Sequence, residues 1–583
     1  MFPWESGFIL SIGTNMNRVN ISTLLLLIPV ALLSVASLCA ASKEPVRGRN
    51  GMVVSAEAHA SQVGVDILKQ GGNAVDAAVA VGFALAVTFP QAGNIGGGGF
   101  MVIRMADGRT ATIDFREKAP QQAHRDMYLD STGAVDAERS LVGHLSAGVP
   151  GSVAGLLHAL EKYGTKSRRE AMAPAVRLAE KGFEVSHRFA QWLKADSASL
   201  VKYAETKRIF TRHGHPFKEG ERLVQKDLGA TLRRIQNDGT DGFYKGKTAD
   251  LIVEEMKRGN GLISHDDLRS YRAIERPPVI GTYRGYELIS MGPPSSGGIV
   301  LIQMLNLLEA YDLGRRGPGS SWNITRMTES MKLAYADRAE YLGDPDFFPV
   351  PEEWLVSKEY ARERRALIDT MRATPSLRIR HGVAPARESE ETTHYSVVDR
   401  WGNAVSVTTT INSWFGSYVT VKGAGFLLNN EMDDFSAKPG VPNQYGLIGG
   451  EANAIAPQKR MLSAMTPTIV LRDKHPWIVT GSPGGSTIIT TILQVLTNVI
   501  DYKMNIQEAI DAPRIHHQWL PDTLVYERHA LVHDVREHLA TRGYNVKERH
   551  GTQGRAEGIL IDRERGIIFG ATDPRGYGAA IGY

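Results

Sequence analysis

Residues 373 to 391, "ATPSLRIRHGVAPARESEE", carry no hydrophobic period and are rich in proline, arginine and glutamate. A structureless connection of this length is uncommon inside a folded protein and tends to be either functional or disordered. Exposed stretches of this kind are also where chains are cut. Before the break amphipathic helices dominate, among them "PGSVAGLLHALEKYG", "AMAPAVRLAEKGF" and "DLGATLRRIQNDG", with a charged helix expected near 357 to 372. After it come short alternating or buried-strand runs: "THYSVVD", "AVSVTTTI", "GAGFLLNN", "TPTIVLRD" and "PWIVTGS". Two further helices are expected around 486 to 500 and 532 to 542. Strands occur before the break as well, in "GFMVIRM", "TATIDF" and the pair within "RPPVIGTYRGYELISM". This pattern suggests a layered α/β protein whose central sheets draw strands from both segments, so the break need not be a domain boundary.

Within the first segment, "SAEAHASQVGVDILKQGG" has an apolar stripe and stops at Gly71-Gly72, where a left-handed C-cap fits. Asn73 can cap "AVDAAVAVGFALAVTF", which is apolar on every face and predicts a buried helix ending before Pro90. The glycines of "GNIGGGGF" run into a strand with no Gly-Lys-Ser/Thr behind them. Close backbone packing is the better reading there, against a phosphate cradle.

The first forty residues stand apart. Arg18 precedes the uncharged "VNISTLLLLIPVALLSVASLCAAS", and a positive flank, an apolar core and small closing residues describe a secretory signal cut near Ala40 or Ala41. Met16 is an alternative start. The stretch is also about long enough to span a bilayer, which leaves a membrane anchor as the alternative to a periplasmic or secreted protein. Cys39 is the only cysteine, so a chain cut after 41 has none and uses no thiol catalysis, disulfide or cysteine-bound metal. A net charge of +4 over 583 residues gives no electrostatic footprint for nucleic acid. The histidine pairs in "RHGHPF" and "RIHHQW" lack metal-site spacing and read as structural. No metal and no cofactor is expected.

Thr392 is the first residue after the polar segment and opens a strand. A threonine hydroxyl is a poor nucleophile without a base. His394 is two residues on, on the same strand face, but that spacing makes an unreliable donor–base pair. Cleavage of the Glu391–Thr392 bond would instead create an α-amine within a few bonds of the hydroxyl. An α-amine has a pKa of about 7.7–8.0, so roughly a tenth is free base at pH 7.

The stretch "TTHYSVVDRWGNAVSVTTTINSWFG" resembles the processing-site signature of the γ-glutamyltranspeptidases, which are N-terminal nucleophile hydrolases. The resemblance spans nearly the whole mature chain through "GGNAVDAAVAVGFAL", "DFREKAP", "PPSSGG", "AYADRAEYLGDPDF", "LLNNEMDDFSAKPG", "GSPGGS" and the closing "DPR" to "GY". It implies an α+β, four-layer αββα sandwich and a precursor that cuts itself into a large subunit (42–391) and a small one (392–583), which stay together as a heterodimer. It implies Thr392 as nucleophile, with Thr410 hydrogen-bonded to it. Arg116 would bind the substrate α-carboxylate, and Asn412, Glu431 and Asp434 would surround its α-amine. Ser463 would contact the carboxylate, Gly484 and Gly485 would supply oxyanion-stabilising N–H groups, and residues 439 to 457 would form a lid with Tyr445 as its gate. Read without the resemblance, Arg116 is a surface ion pair, the acidic run a solvated turn, and Thr410 an ordinary strand residue.

One departure stands out. The family usually has two adjacent serines where this chain reads "KRMLSAMTP", so Ala464 replaces the second and glutamyl binding is expected to be weaker or altered in selectivity, with water or Thr466 as partial compensation. The implied reaction is transfer of the γ-glutamyl group of glutathione or a related amide to water, amino acids or peptides. The rivals are an acylase of the same superfamily that cleaves glutaryl-type amides, and an uncut, inactive exported scaffold. A serine hydrolase centred on "PPSSGG" lacks an accompanying His/Asp pattern.

Overall fold

The fourteen strands of the two large sheets come from both sides of the break. Before it lie β1 (Val46–Gly48), β2 (Gly51–Ser55), β3 (Gly98–Arg104), β4 (Thr110–Asp114), β5 (Ile274–Arg276), β6 (Val279–Tyr283) and β7 (Tyr286–Ser290). After it lie β8 (Thr393–Asp399), β9 (Ala404–Thr410), β10 (Thr468–Arg472), β11 (His475–Gly481), β12 (Glu557–Asp562), β13 (Ile567–Thr572) and β14 (Ala579–Gly582). The structure is a computed structural model that describes residues 42–379 and 392–583, apart from Pro442, Tyr445 and Ile448. The expected signal segment, Glu391 and Tyr445 therefore lie outside the described residues.

The first sheet has the order β14-β2-β8-β9-β3-β4-β5 and the second β1-β13-β12-β11-β10-β7-β6, every neighbour antiparallel. The hairpin that starts at the break, β8–β9, sits at the centre of the first sheet between β2 and β3. Helices α1 (Ala58–Lys69), α2 (Ala74–Thr88) and α3 (Ser152–Tyr163) cover the outer face of this sheet, in one apolar cluster with Tyr395, Val397, Val405 and Val407. Helices α4 (Gly297–Leu308), α5 (Ser321–Tyr341) and α6 (Thr487–Ile500) cover the second sheet. A third cluster, including Met52, Phe100, Val102, Val398, Ile469, Val479 and Ile559, fills the space between the sheets. The layers are αββα, as the resemblance implied, and residues Glu44–Tyr583 form one unit.

Local sequence explains the placing of α2. Every residue of it is buried, and Asn73 caps it reciprocally with Asp76. Asp399, at the end of β8, accepts from the Ala74 amide at 2.8 Å and so ties the helix start to the hairpin. Gly71 takes the left-handed conformation expected of a C-cap (φ 83°). In the glycine run, a Cβ on Gly97 would lie 2.1 Å from the Thr410 carbonyl oxygen, so the run exists for close backbone approach.

Two expectations need correction. "GAGFLLNN" is not a strand: Gly423 and Gly425 are left-handed (φ 77° and 78°), which breaks the extended backbone, and only an isolated Thr420–Leu427 bridge forms. The charged helix ends at Arg365, well short of 372. Among the described residues no helix is long and apolar enough to cross a membrane.

Candidate active site

Register places Thr392. Thr393 pairs with Thr409 and His394 with Thr408, so the same antiparallel ladder, continued by one residue, sets Thr392 opposite Thr410. Side chains alternate along the strand. Tyr395 and Val397 pack on the helices while Val398 lies between the sheets, which sends Thr392, His394 and Thr410 toward the inter-sheet layer. Thr392 is 6% exposed and lines one pocket with Arg116, Asn412, Glu431, Asp434 and Ser463.

His394 is not the base. Its Nδ1 lies 2.9 Å from Thr408 Oγ1 and its Nε2 lies 3.0 Å from Ser396 Oγ, so both ring nitrogens are engaged away from Thr392. Burial also pushes its imidazole down to about 3, too weak to take a proton from a hydroxyl. The hydrogen bond expected between Thr410 and Thr392 is absent among the described residues. Instead Thr410 Oγ1 accepts from the Asn412 amide at 2.7 Å.

The opposite wall is ionic. Arg116 is fully buried, not on the surface, and its guanidinium meets three carboxyl groups. Nη1 donates to Glu431, Nη2 to Asp434 at 2.5 Å, and Glu117 lies 3.6 Å from Nη1. The remaining donors go to backbone: Nε to Met461 O at 3.2 Å and Nη2 to Leu462 O at 3.3 Å. Burial works against the charge of Arg116, but the three carboxyls outweigh it and hold the guanidinium above its usual range. Burial pushes the carboxyls of Glu431, Asp434 and Glu117 up, against the pull of Arg116. Three buried carboxyl groups thus share one guanidinium, and Glu431 Oε2 and both oxygens of Glu117 have no hydrogen-bond partner among the described residues. Such a cluster has affinity for a further ammonium group. Asn412 also lines the pocket, its Nδ2 donating to Asn430 O at 3.0 Å so that Oδ1 is its acceptor end.

At the N-terminus of α6, Gly484 and Gly485 have φ of 135° and 53°, conformations open to glycine. Neither amide donates a hydrogen bond within the described residues, as an oxyanion site requires. Gly485 lines the pocket and Gly484 does not. Ser463 lines it too, with Oγ accepting from the Met465 amide at 3.1 Å. Ala464 lies in the wall beside it. Thr466 does not compensate for the lost serine, because its hydroxyl donates to Ala464 O at 2.9 Å and it is not part of the wall. The two serines of "PPSSGG" are scaffold: Ser295 and Ser296 donate to Met465 O and Ser463 O, both at 2.6 Å.

Of residues 439 to 457, Asn443, Leu447, Gly449 and Asn453 line the pocket, and the Gln444 amide donates to Asp433 at 3.0 Å. The described residues hold no cluster of three or more metal-ligating side chains. Sequence reading gave no role to two side chains at this site: Glu117, next to Arg116, and Arg338, inside α5. Both fall within quoted family blocks, but neither carries a signal of its own that separates it from a surface charge.

Two central sheets between helical layers, with a pocket-lining threonine directly ahead of a central strand, define the class of N-terminal nucleophile hydrolases. The comparisons narrow this. The family model described as gamma-glutamyltranspeptidase matches residues 60–583. The chain is 53% identical over 532 residues to the glutathione hydrolase proenzyme of Escherichia coli (strain K12), covering 91% of each chain. It is 50% identical over 570 residues to that of Pseudomonas sp. (strain A14), covering 95% of this chain and 99% of the relative. A solved cephalosporin acylase from Bacillus halodurans superposes with a TM-score of 0.83 at 28% identity, covering 94% of this chain and 98% of that one. The chain belongs to the γ-glutamyltranspeptidase family.

Proposed function

We propose that this chain is an exported, self-processing γ-glutamyl transferase and glutathione hydrolase. The observation that carries the reading is the pairing of Thr392 with a buried ionic wall in one pocket: nucleophile at one end, acceptors for an α-ammonium at the other. The relatives named glutathione hydrolase proenzymes support it.

In this reading the precursor cuts itself between Glu391 and Thr392. The freed α-amine takes the proton of Thr392 Oγ1 as that oxygen attacks the γ-carbonyl carbon of the substrate. The tetrahedral oxyanion is held by the amides of Gly484 and Gly485, and Thr410 orients the nucleophile. Collapse breaks the C–N bond, the α-ammonium returns its proton to the departing amine, and a γ-glutamyl ester of Thr392 remains. Water, an amino acid or a short peptide then attacks the ester, and Thr392 regains its hydroxyl. Glu431, Asp434 and Asn412 receive the substrate ammonium, Ser463 and Arg116 its carboxylate. No cofactor, metal or nucleic acid enters the scheme, and residues 439 to 457, gated by Tyr445, act as the lid. The N-terminal apolar stretch serves as the export signal.

A glutaryl-type acylase would have no use for the acidic wall, because its substrates lack the α-amine. Kinetics with γ-glutamyl and glutaryl anilides test the point: loss of one ion-paired ammonium should cost glutaryl substrate about 10- to 100-fold in kcat/KM. A preference for glutaryl substrate would replace this reading with the acylase one.

A further inference from the structure

Thr392 also lines a second pocket, and it is the one residue common to the two walls. The second wall is of another kind. Phe89, Trp192, Pro483 and Tyr577 give it apolar surface, and its charged side chains are Arg555 and Glu557. A row of rings and guanidinium groups runs along it. The Arg555 guanidinium lies 4.5 Å from the centre of the Trp414 ring, and Trp414 lies 5.1 Å from Trp192. Arg188 follows, 5.2 Å from Trp192 and 5.4 Å from Tyr577. A ring face holds a guanidinium in place without using any of its N–H donors. The backbone is anchored as well: the Arg555 amide donates to Ser482 Oγ at 3.0 Å. Gly554 before it is left-handed (φ 66°), and a Cβ there would lie 2.9 Å from that oxygen. Ser482 opens the turn that carries Gly484 and Gly485, so Arg555 is tied to the oxyanion turn. Arg555 and Trp414 are half-buried and Tyr577 is 54% exposed, while Thr392 is buried. The cation thus stands toward the mouth of the pocket and the threonine at its floor.

A transferase that works through an ester must hold three groups around one carbonyl carbon: the acyl part, the nucleophile, and the amine that leaves or enters. The ionic pocket receives the glutamyl part. The amine bonded to the same carbon points away from it, and the acceptor later attacks that carbon where the first amine departed. One further subsite therefore serves both. The second pocket meets this requirement, since it reaches Thr392 and shares nothing else with the ionic wall.

We propose that the second pocket is the subsite of the leaving group and the acceptor, and that Arg555 binds the carboxylate at their far end. The enzyme would then select short peptides with a free C-terminus over neutral amines. In glutathione the group bound is the glycine carboxylate of the departing cysteinylglycine. A planar guanidinium fork matches a carboxylate, and Trp414 presents it at the mouth. This inference rests on the γ-glutamyl reading of the ionic pocket.

The test compares two donors on the processed enzyme: glutathione, and glutathione whose glycine carboxylate is capped as the amide. They differ only in the charge at the far end of the leaving group. The readout is kcat/KM for release of that group, which covers the steps up to the ester and not its later fate. Wild type should favour glutathione by about tenfold, and Arg555→Gln should bring the ratio to within about twofold of unity. No preference in wild type, or an undiminished preference in Arg555→Gln, overturns the proposal. So does an equal loss on both donors, which is what an arginine that only caps Trp414 would give. If Arg555→Gln does not process, Arg555→Lys keeps the charge without the fork. An intermediate ratio is then expected, and the wild-type ratio is contrary. A wild-type protein that turns over neither donor would fail the functional reading itself, whereas activity without preference fails this inference alone.

Discussion

The two ends of the pocket are built on opposite principles. Around Thr392 the shared pocket wall is neutral, with Thr410 and Gly485, and the seam of His394, Ser396 and Thr408 lies beside it, while a second pocket that Thr392 also lines includes Arg555 and Glu557. Across the cavity stand two guanidinium and three carboxyl groups, nearly all buried. His394 is engaged with Thr408 and Ser396 and is too weak a base, so the proposed reading gives the proton to the α-amine of the processed chain. At the ionic end Glu431 Oε2 and both oxygens of Glu117 have no hydrogen-bond partner among the described residues, which in the proposed reading leaves room for the substrate ammonium. Chemistry and recognition are divided between the two.

Breaking the neutral end should have the largest effect. Thr392→Ala is expected to give an uncut chain with no measurable γ-glutamyl hydrolysis, read on a denaturing gel and by anilide assay. At the ionic end, Asp434→Asn should reduce kcat/KM for γ-glutamyl anilide by up to about 100-fold, through loss of a charged hydrogen bond worth about 1.5–3 kcal/mol. The same variant should leave glutaryl anilide nearly unaffected, which separates an ammonium contact from general damage.

The buried seam sharpens the comparison through pH. His394 is neutral in the folded protein, with its pKa depressed to about 3 against about 6.5 when unfolded. Below pH 6.5 the unfolded chain binds a proton that the folded one refuses, so the stability is present above 6.5 and is lost as pH falls toward 3. By pH 5 this single group should cost about 2 kcal/mol. His394→Gln should flatten that part of the stability–pH curve relative to wild type, whatever its effect at pH 7. The smallest change is expected from Ala464→Ser, a lowering of KM for γ-glutamyl anilide by about tenfold or less. An unchanged KM would mean the missing hydroxyl is of no consequence.

Much of this was legible in sequence for physical reasons. The all-apolar run of α2 can only be buried, and Asn73 marks its start. Alternation in "THYSVVD" and "AVSVTTTI" gives the hairpin, and its register fixes Thr392 opposite Thr410. The ionic wall was not legible without the resemblance. Arg116 and Asp434 are 318 positions apart, and local pattern carries no information about such a pair. Arg338 was hidden differently. Helix α5 reads as polar on most faces, yet Thr328, Glu329, Lys332, Asp337 and Arg338 are all buried. Their charges are answered by distant segments, as Arg364 answers Asp337 at 2.9 Å and Asp522 answers Lys332 at 3.3 Å. Burial of charge by long-range pairing leaves no hydrophobic period to read.

The division of labour between the two ends depends on a terminus being made ahead of the nucleophile. Edman or mass-spectrometric sequencing of the smaller fragment of the active protein tests this most directly. The account predicts a fragment that begins at Thr392. A different first residue, or full activity from a chain never cut, would contradict it.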